Sequence, residues 1–553
     1  ELVRCGNEGK IICNGNQKSY IAGLIAESGP ITMEECYNKG NIEIIDIDNT
    51  KYVAGLIAYA KSTSSRKQTM TLTGCYNEGD IVGSAVVAGL IANTDASGTV
   101  TNPLILTECY NTGNITARPT KTQSSTGAPT AGLVALYTPG SKFTNCRNSG
   151  TISTTNINTG GITAYYKTTP KEDNPVVISN CHNTGTIESD GNNIGGIIAY
   201  STDYTTTENC YNTAELKGSF GIGGIAGYIN GVTSTLKSCW NSGKVTIATN
   251  RGGGLVGLGS KGVVESSFNV GDVISLSTEV GTDKTSGYGI GGLAGQGTAV
   301  FTDCYNMGIV TGANQVGGLV GVPRSGHTQI IRCYNAGKIV AQSDECGSLI
   351  GADLSDSYWN SENKVESSYF VTDYGTHHND TIGTTITIAE LAKTDMGNGW
   401  TAGDDYTLPI PTTQISEPYA LINAVTIAFA EGDSKNSITK DFFVGAPEGV
   451  NWTSSVANIS FSGFNALFDD KECIGKATLT ATAGELNKTF EINCNKPSGI
   501  NDILNGKIVV KEVYYNTYGI EVPKPTSHDS NVYMVVRTYD DGTTDTLKFF
   551  NVK

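Results

Sequence analysis

Tryptophan is scarce in this chain, at four of 553 residues, and histidine and methionine number only five each. With so little tryptophan, 68 glycines suit a solenoid better than a compact enzyme. Positive charge is also short: 37 Lys and Arg face 53 Asp and Glu, a net charge of −16. That balance argues against nucleic acid or an anionic membrane surface as a partner. No apolar run is long enough to span a bilayer, so membrane insertion is not expected, and no signal peptide opens the sequence. Glu1 already falls inside the repeating pattern described next, which reads as a processed or truncated chain. Before about residue 385 no segment carries a convincing helical period.

What is present is a repeat. Eleven times between Cys5 and Asn335 the chain writes Cys-aromatic-Asn-x-Gly or a close variant, as in Cys36-Tyr37-Asn38, Cys75-Tyr76-Asn77, Cys181-His182-Asn183 and Cys239-Trp240-Asn241. Ser267-Phe268-Asn269 is the one copy without cysteine, and the Asn column has no exception. Eleven times a second phrase, Gly-Gly-Leu/Ile-x-Ala/Gly or a close variant, follows it, centred on Gly23, Gly55, Gly89, Gly132, Gly161, Gly196, Gly224, Gly254, Gly292, Gly318 and Ser348. The coils that begin at Cys181, Cys210, Cys239 and Cys304 take 29, 29, 28 and 29 residues. Each holds three short β-type runs, such as Lys244–Ile247, Gly254–Gly257 and Val263–Ser266. Such a unit cannot bury its own apolar face, so it must stack on the next copy. The expectation is an all-β chain: a parallel β-helix or β-solenoid of about eleven coils over residues 1–352, roughly 50 Å long at ~4.8 Å per coil.

Residue types fit that geometry. The Asn column is expected to form a side-chain ladder at a corner. The glycine after it, as at Gly40 and Gly79, is expected where a tight corner needs positive φ. Ten of the fourteen cysteines stand in the repeat column. Residues stacked one above another have near-parallel Cβ vectors at the strand spacing, whereas a disulfide needs Cβ atoms ~3.8 Å apart and turned together. A buried column of free thiols is the expected state. No C-x-x-C spacing supports a metal instead.

After Gly351 the composition shifts. Residues 353–412 let the repeat decay through Ser357-Tyr358-Trp359-Asn360 and Ser368-Tyr369-Phe370, then offer one helix candidate, Thr387–Lys393, as expected of a cap and linker over an open edge. Residues 413–495 alternate like a β-sandwich, and residues 496–553 read as a further small antiparallel β domain. Cys473 and Cys494 could pair.

Three resemblances follow. The phrase seen at Gly253–Gly257 and Gly317–Gly321 resembles the GLUG repeat of bacterial surface proteins, and it covers roughly two thirds of the chain. The sandwich resembles a bacterial immunoglobulin-like (Ig-like) domain. The stretch Tyr514–Pro523 with Val532–Gly542 resembles the C-terminal sorting domain of the type IX secretion system of Bacteroidota, departing from it where Ser530-Asn531-Val532 precedes Tyr533. The resemblances imply a secreted protein displayed on the outer-membrane cell surface, with residues 496–553 as partner of the type IX machinery.

Catalytic signals are weak. Asp46 with Asp48, and Glu34 with Glu35, are the nearest approaches to paired carboxylates, and neither recurs at the same phase in the next coil. His377-His378-Asn379-Asp380 has metal-binding residue types but no spaced third ligand, and reads as a solvated loop. Gly221-x-Gly223-Gly224 is repeat syntax, not a phosphate loop. No catalytic residue, metal or cofactor is therefore expected. Aromatics remain. One set follows each Cys (Tyr37, Tyr76, Tyr110, Tyr211, Trp240, Phe268, Tyr305, Tyr334) and is expected as an external stripe; a second comprises Tyr59, Tyr165, Tyr200 and Tyr228. Ladder stiffening explains either set, and so does stacking against sugar. The coils after Gly55, Gly89 and Gly161 carry insertions at 59–73, 93–107 and 165–179 that leave from one corner, a common way to build a binding face. The reading is a binding protein, adhesin-like, that recognises a glycan or host surface protein at Tyr59, Tyr165, Tyr200 and Tyr228. The alternatives are a glycan-active β-helix enzyme and a structural stalk or surface-layer component.

Overall fold

The computed structural model describes residues 1–14, 19–45, 51–61, 68–94, 102–118, 128–278, 288–297, 299–323, 328–352, 359, 361–401, 408–412, 425–428, 433–439, 441–445, 450–462, 465–468, 473–483, 486–496, 509–515, 521–522, 532–539 and 544–550. The chain divides into two compact units. One holds Glu1–Thr426, Val444–Asn451 and Ala481–Lys488; the other holds Ile427–Phe443, Trp452–Thr480 and Thr489–Lys553.

The first unit is a parallel β-solenoid. Its third coil shows the plan: a first wall Met70–Thr73, a second wall Tyr76–Asn77, a third wall bent into Ile81–Ser84 and Val86–Ala88, and a fourth wall Ile91–Thr94. Every wall pairs in parallel with its copies above and below, without register slip in the second wall, where Tyr76 lies between Tyr37 and Tyr110 and Asn77 between Asn38 and Asn111. Among the described residues the four walls form sheets of 12, 13, 19 and 10 strands, so about ten turns are complete on all sides. The first and second walls continue past the last full turn through Lys364–Glu366, Tyr369–Val371 and Thr384–Ile386.

Two apolar columns run up the stack. One is the axial core of Leu56, Cys75, Leu106, Cys146, Ile178 and their equivalents; the other lies inside the bent third wall and takes Ile42, Ile81, Ile115, Ile152 and Ile187, all wholly buried. Each coil thus contributes several aliphatic side chains worth ~1.5–3 kcal/mol apiece, but only once its neighbours cover them.

The corner glycines are not where positive φ is needed. The left-handed position is the residue before each cysteine: Glu35, Gly74, Glu108, Asn145, Asn180, Asn209, Ser238, Asp303 and Arg332 all have φ between 49° and 60°. The glycines serve close approach instead. A Cβ on Gly79 would run into the carbonyl oxygen of Gly40 one coil below, and a Cβ on Gly55 into the carbonyl of Gly89 and the side chain of Asn77. The second glycine of one phrase and the Asn of the other are thus halves of one contact.

Between these glycines stands the asparagine ladder. Asn183 Nδ2 donates to Asn212 Oδ1 at 2.8 Å and Asn212 Nδ2 donates to Asn241 Oδ1 at 2.8 Å, and the chain of bonds runs head to tail from Asn7 to Asn335. Each Nδ2 also donates to the carbonyl two residues on, as Asn212 does to Ala214 at 2.9 Å. Both amide protons are used, so no other side chain of that size fits.

All fourteen cysteines are free thiols. Cys146 Sγ lies 3.4 Å from Thr144 O and 3.6 Å from Leu106 O, and its backbone N–H donates to Cys181 Sγ at 3.4 Å. Ser267 fills the same place, accepting from Cys239 N at 3.0 Å, and Ser368 extends the column by accepting from Cys333 N at 3.0 Å. Burial pushes the Cys181, Cys210 and Cys304 thiols well above their ordinary range.

The C-terminal edge of the solenoid is covered. The helix Ile388–Ala392 forms with a capping box, Thr387 Oγ1 accepting from Glu390 N and the Glu390 carboxylate accepting from Thr387 N, and Leu391 is fully buried. The loop His377–Asp380 seals the end of the third wall, a correction to its reading as a solvated loop. Asn379 is buried and donates to Gly351 O at 2.6 Å, while the Asp380 carboxylate accepts from the N–H and hydroxyl of Ser348. Trp359 is the described part of the Ser357–Asn360 stretch; its neighbours lie outside the described residues.

Beyond the solenoid, described strands form three small sheets. One orders Thr426–Ala428, Phe442–Gly445, Asn465–Phe468 and Ile459–Ser462; another orders Asn451–Ser454, Cys473–Ala483 and Leu486–Lys496. The last is antiparallel and orders Glu521–Val522, Val509–Tyr515, Val532–Tyr539 and Thr544–Phe550. No helix among the described residues is long and apolar enough to cross a membrane.

Candidate functional site

The two aromatic sets differ in how their rings meet. In the second wall the rings lie flat on one another up the stack. Tyr76 and Tyr110 have centroids 4.8 Å apart and planes 1° apart; His182, Tyr211 and Trp240 follow at 4.7 and 4.4 Å, and Phe268, Tyr305 and Tyr334 at 4.7 and 4.9 Å. Arg147 occupies the ring position between Tyr110 and His182, its guanidinium 4.1 Å from the Tyr110 centroid. A column stacked this way uses its faces internally and turns only ring edges outward.

This stripe is not external along its whole length. From Tyr37 to Tyr211 the rings are half-buried, but Trp240, Phe268, Tyr305 and Tyr334 are 5, 2, 2 and 0 % exposed. Over the last two lies the hairpin formed by Trp400–Thr401 and Ile410–Pro411. Trp400 Nε1 donates to Asp303 Oδ1 at 2.7 Å, its ring lies tilted 5.7 Å from that of Tyr334, and Tyr334 donates to Pro409 O at 3.0 Å. The hairpin is built from residues that, in sequence, lie far past the repeat; no local pattern announces that they fold back on it.

The fourth-wall set is arranged otherwise. Thr163 pairs with Ile198, which sets Tyr165 beside Tyr200, and Tyr200 pairs with Tyr228. Their centroids are 5.0 and 4.7 Å apart with planes at 66° and 73°, so the rings meet edge to face. Tyr166 joins them, stacked 4.6 Å from Tyr165, a member that the repeat phase had not singled out. All four are half-buried. Rings with differing normals cannot all be closed by self-stacking. Tyr59 is not part of this cluster: its neighbours in the wall are Glu27 and Asn93, and it stacks 4.7 Å from Tyr20.

Polar groups hold the cluster in place. Tyr228 Oη donates to Ser260 Oγ at 3.3 Å, Ser260 Oγ donates to Asn230 Oδ1 at 2.6 Å, and Asn230 Nδ2 donates to Tyr200 Oη at 2.8 Å. Burial pushes the Tyr200 phenol up to about 12, so it stays protonated, and its O–H donates to no group among the described residues. Behind it Tyr137 is fully buried. The insertion at 165–179 is described throughout and is tied down, with Lys167 N donating to Tyr137 O at 2.8 Å and Gly140 N to Asn174 O at 2.8 Å. Of the other two insertions, residues 62–67 and 95–101 lie outside the described residues; their described flanks leave from the same fourth-to-first-wall corner.

The described carboxylate pair, Glu34 with Glu35, assembles no site. Glu34 and Glu35 are exposed, Glu35 pairing with Arg4 at 3.3 Å, and Asp46 with Asp48 lies outside the described residues. Among the described residues no group of three His, Cys, Asp or Glu side chains is placed to hold a metal ion. No family model, no curated protein and no solved structure matches this chain.

Proposed function

We infer that this chain is a binding protein of the cell exterior, adhesin-like, that presents a rigid solenoid to a glycan or host surface protein. The observation that carries this reading is the tyrosine cluster Tyr165, Tyr166, Tyr200 and Tyr228: rings that meet edge to face, a Tyr200 O–H that donates to no group among the described residues, and an ordered insertion at the rim. Sugars bind through apolar ring faces and many hydroxyls, and half-buried tyrosines supply both a face and a fixed polar tip. In this reading residues 413–495 are an Ig-like spacer and residues 496–553 a type IX sorting domain. The resemblance of the repeat to GLUG proteins supports surface display. A glycan and host-protein array probed with the intact chain, then with Tyr165, Tyr200 and Tyr228 changed to Ala, tests it. Ligands should be captured by the first and lost by the second at unchanged thermal stability. Equal capture by both would remove the cluster from function.

A further inference from the structure

The aromatic column of the second wall is one continuous surface whose C-terminal part the protein itself covers. The chemistry of that cover has three parts: an indole laid across ring edges, its N–H given to the carboxylate of the residue two before Tyr305, and a backbone carbonyl that accepts from the next ring position, Tyr334. The groups that receive this cover (ring edges, a carboxylate two before a ring, and a donor at the next ring position) have uncovered counterparts lower in the column, although Asp303 is also held by Arg332 and Glu108 is not. Glu108 stands two before Tyr110, in the same left-handed position as Asp303, with φ 56° in each. Its backbone N–H donates to Thr144 O at 3.0 Å, while its side chain is exposed and the carboxylate bonds to no group among the described residues. The next ring position is Arg147, exposed, whose guanidinium lies on Tyr110 and carries further N–H groups able to serve a carbonyl. Outward ring edges carry the positive end of the aromatic quadrupole, so they favour the face of another ring or a carbonyl oxygen.

We propose that Glu108, Tyr110 and Arg147, with Tyr76 beside them, form a docking groove for a tryptophan-bearing β-hairpin or extended peptide of a partner protein. The occupant sets its indole across the edges of Tyr76 and Tyr110, donates the indole N–H to Glu108 and accepts from Arg147 at a backbone carbonyl. A sugar is the poorer fit, since no ring face of the column is turned outward. This site is separate from the tyrosine cluster of the fourth wall.

The test uses a fluorescently labelled peptide with the sequence of residues 396–412 and the intact chain, followed by anisotropy. Saturable binding is expected, weakened about tenfold or more by Glu108→Ala in the protein, the loss of one charge-assisted hydrogen bond. A peptide with Ala in place of its tryptophan should bind as weakly. Glu108 is exposed, so its variant keeps the fold, and Glu188→Ala, exposed on the third wall, should leave binding unchanged. Absence of binding to the intact chain, or equal binding by the Glu108→Ala protein or the tryptophan-free peptide, would overturn the proposal.

Discussion

Replacing Asn212 with Ala should destabilise the solenoid more than any single aliphatic truncation in the same coil. The side chain is wholly buried and makes three bonds: it accepts from Asn183 Nδ2 and donates to Asn241 Oδ1 and Ala214 O. Alanine removes all three and leaves a proton of Asn183, the Asn241 oxygen and the Ala214 carbonyl facing one another's vacancy in a dry corner. At ~1–3 kcal/mol for each of the three buried groups stripped of its partner, the cost is about 3–9 kcal/mol. Water cannot easily rescue them, because the glycine carbonyls of the facing wall close the space. In a stack of coils the loss should be local, since each unit's stability is shared with its nearest neighbours. Hydrogen exchange followed by mass spectrometry should therefore show protection falling most between residues 181 and 241. Asn212→Asp provides the sharper control. It is isosteric and still accepts from Asn183, yet it turns a carboxylate on two acceptors, so it should be at least as damaging at neutral pH and partly recover as acid protonates it. A cost under about 1 kcal/mol for the Ala variant, or protection lost evenly along the solenoid, would refute the ladder as a source of stability.

Other expectations follow from the same geometry. Burial, then the nearby Arg147 charge, lowers His182 from 6.5 to about 4. The folded ring thus binds its proton less readily than the unfolded one, so its contribution stands whole above pH ~6.5 and is lost as pH falls toward 4, by at most ~3 kcal/mol; thermal melts of wild type and His182→Tyr across that window should diverge, and parallel curves would refute it. Cys210→Ser should cost under about 1 kcal/mol in urea unfolding because Ser267 and Ser368 already fill the column with the same bonds, whereas Cys210→Val, which cannot donate, should cost clearly more. Gly79→Ala should cost more than ~3 kcal/mol, since its Cβ would meet backbone of the coil below that cannot yield without parting the strands; a well-folded variant with an unchanged melt would contradict the close-approach role.

The repeat phrases alone were enough for a parallel stack of coils, though each coil has four walls where three short strands were expected. A fixed interval of β-type residues with an unbroken Asn column has one economical solution, parallel coils in register, because identical residues then fall above one another and amide side chains bond along the axis. The free thiols were legible for the same reason: stacking makes Cβ vectors parallel. The helix at Ile388–Ala392 was legible as the one helix candidate, Thr387–Lys393, in the segment expected to cap the open edge. Three things were not legible, and each depends on residues that meet only after folding. The glycines look like turn residues in sequence, but what excludes a Cβ is the carbonyl of another coil. The eight rings of the repeat look alike, yet the hairpin around Trp400 buries Tyr305 and Tyr334 and leaves Tyr76 and Tyr110 at the surface, a difference set by residues that lie beyond the repeat. Ring orientation in particular is a property of packing: a period in the sequence puts Tyr165, Tyr200 and Tyr228 in one column, but only the space left around each side chain turns them edge to face, brings in Tyr166, and places Tyr59 with Tyr20 instead.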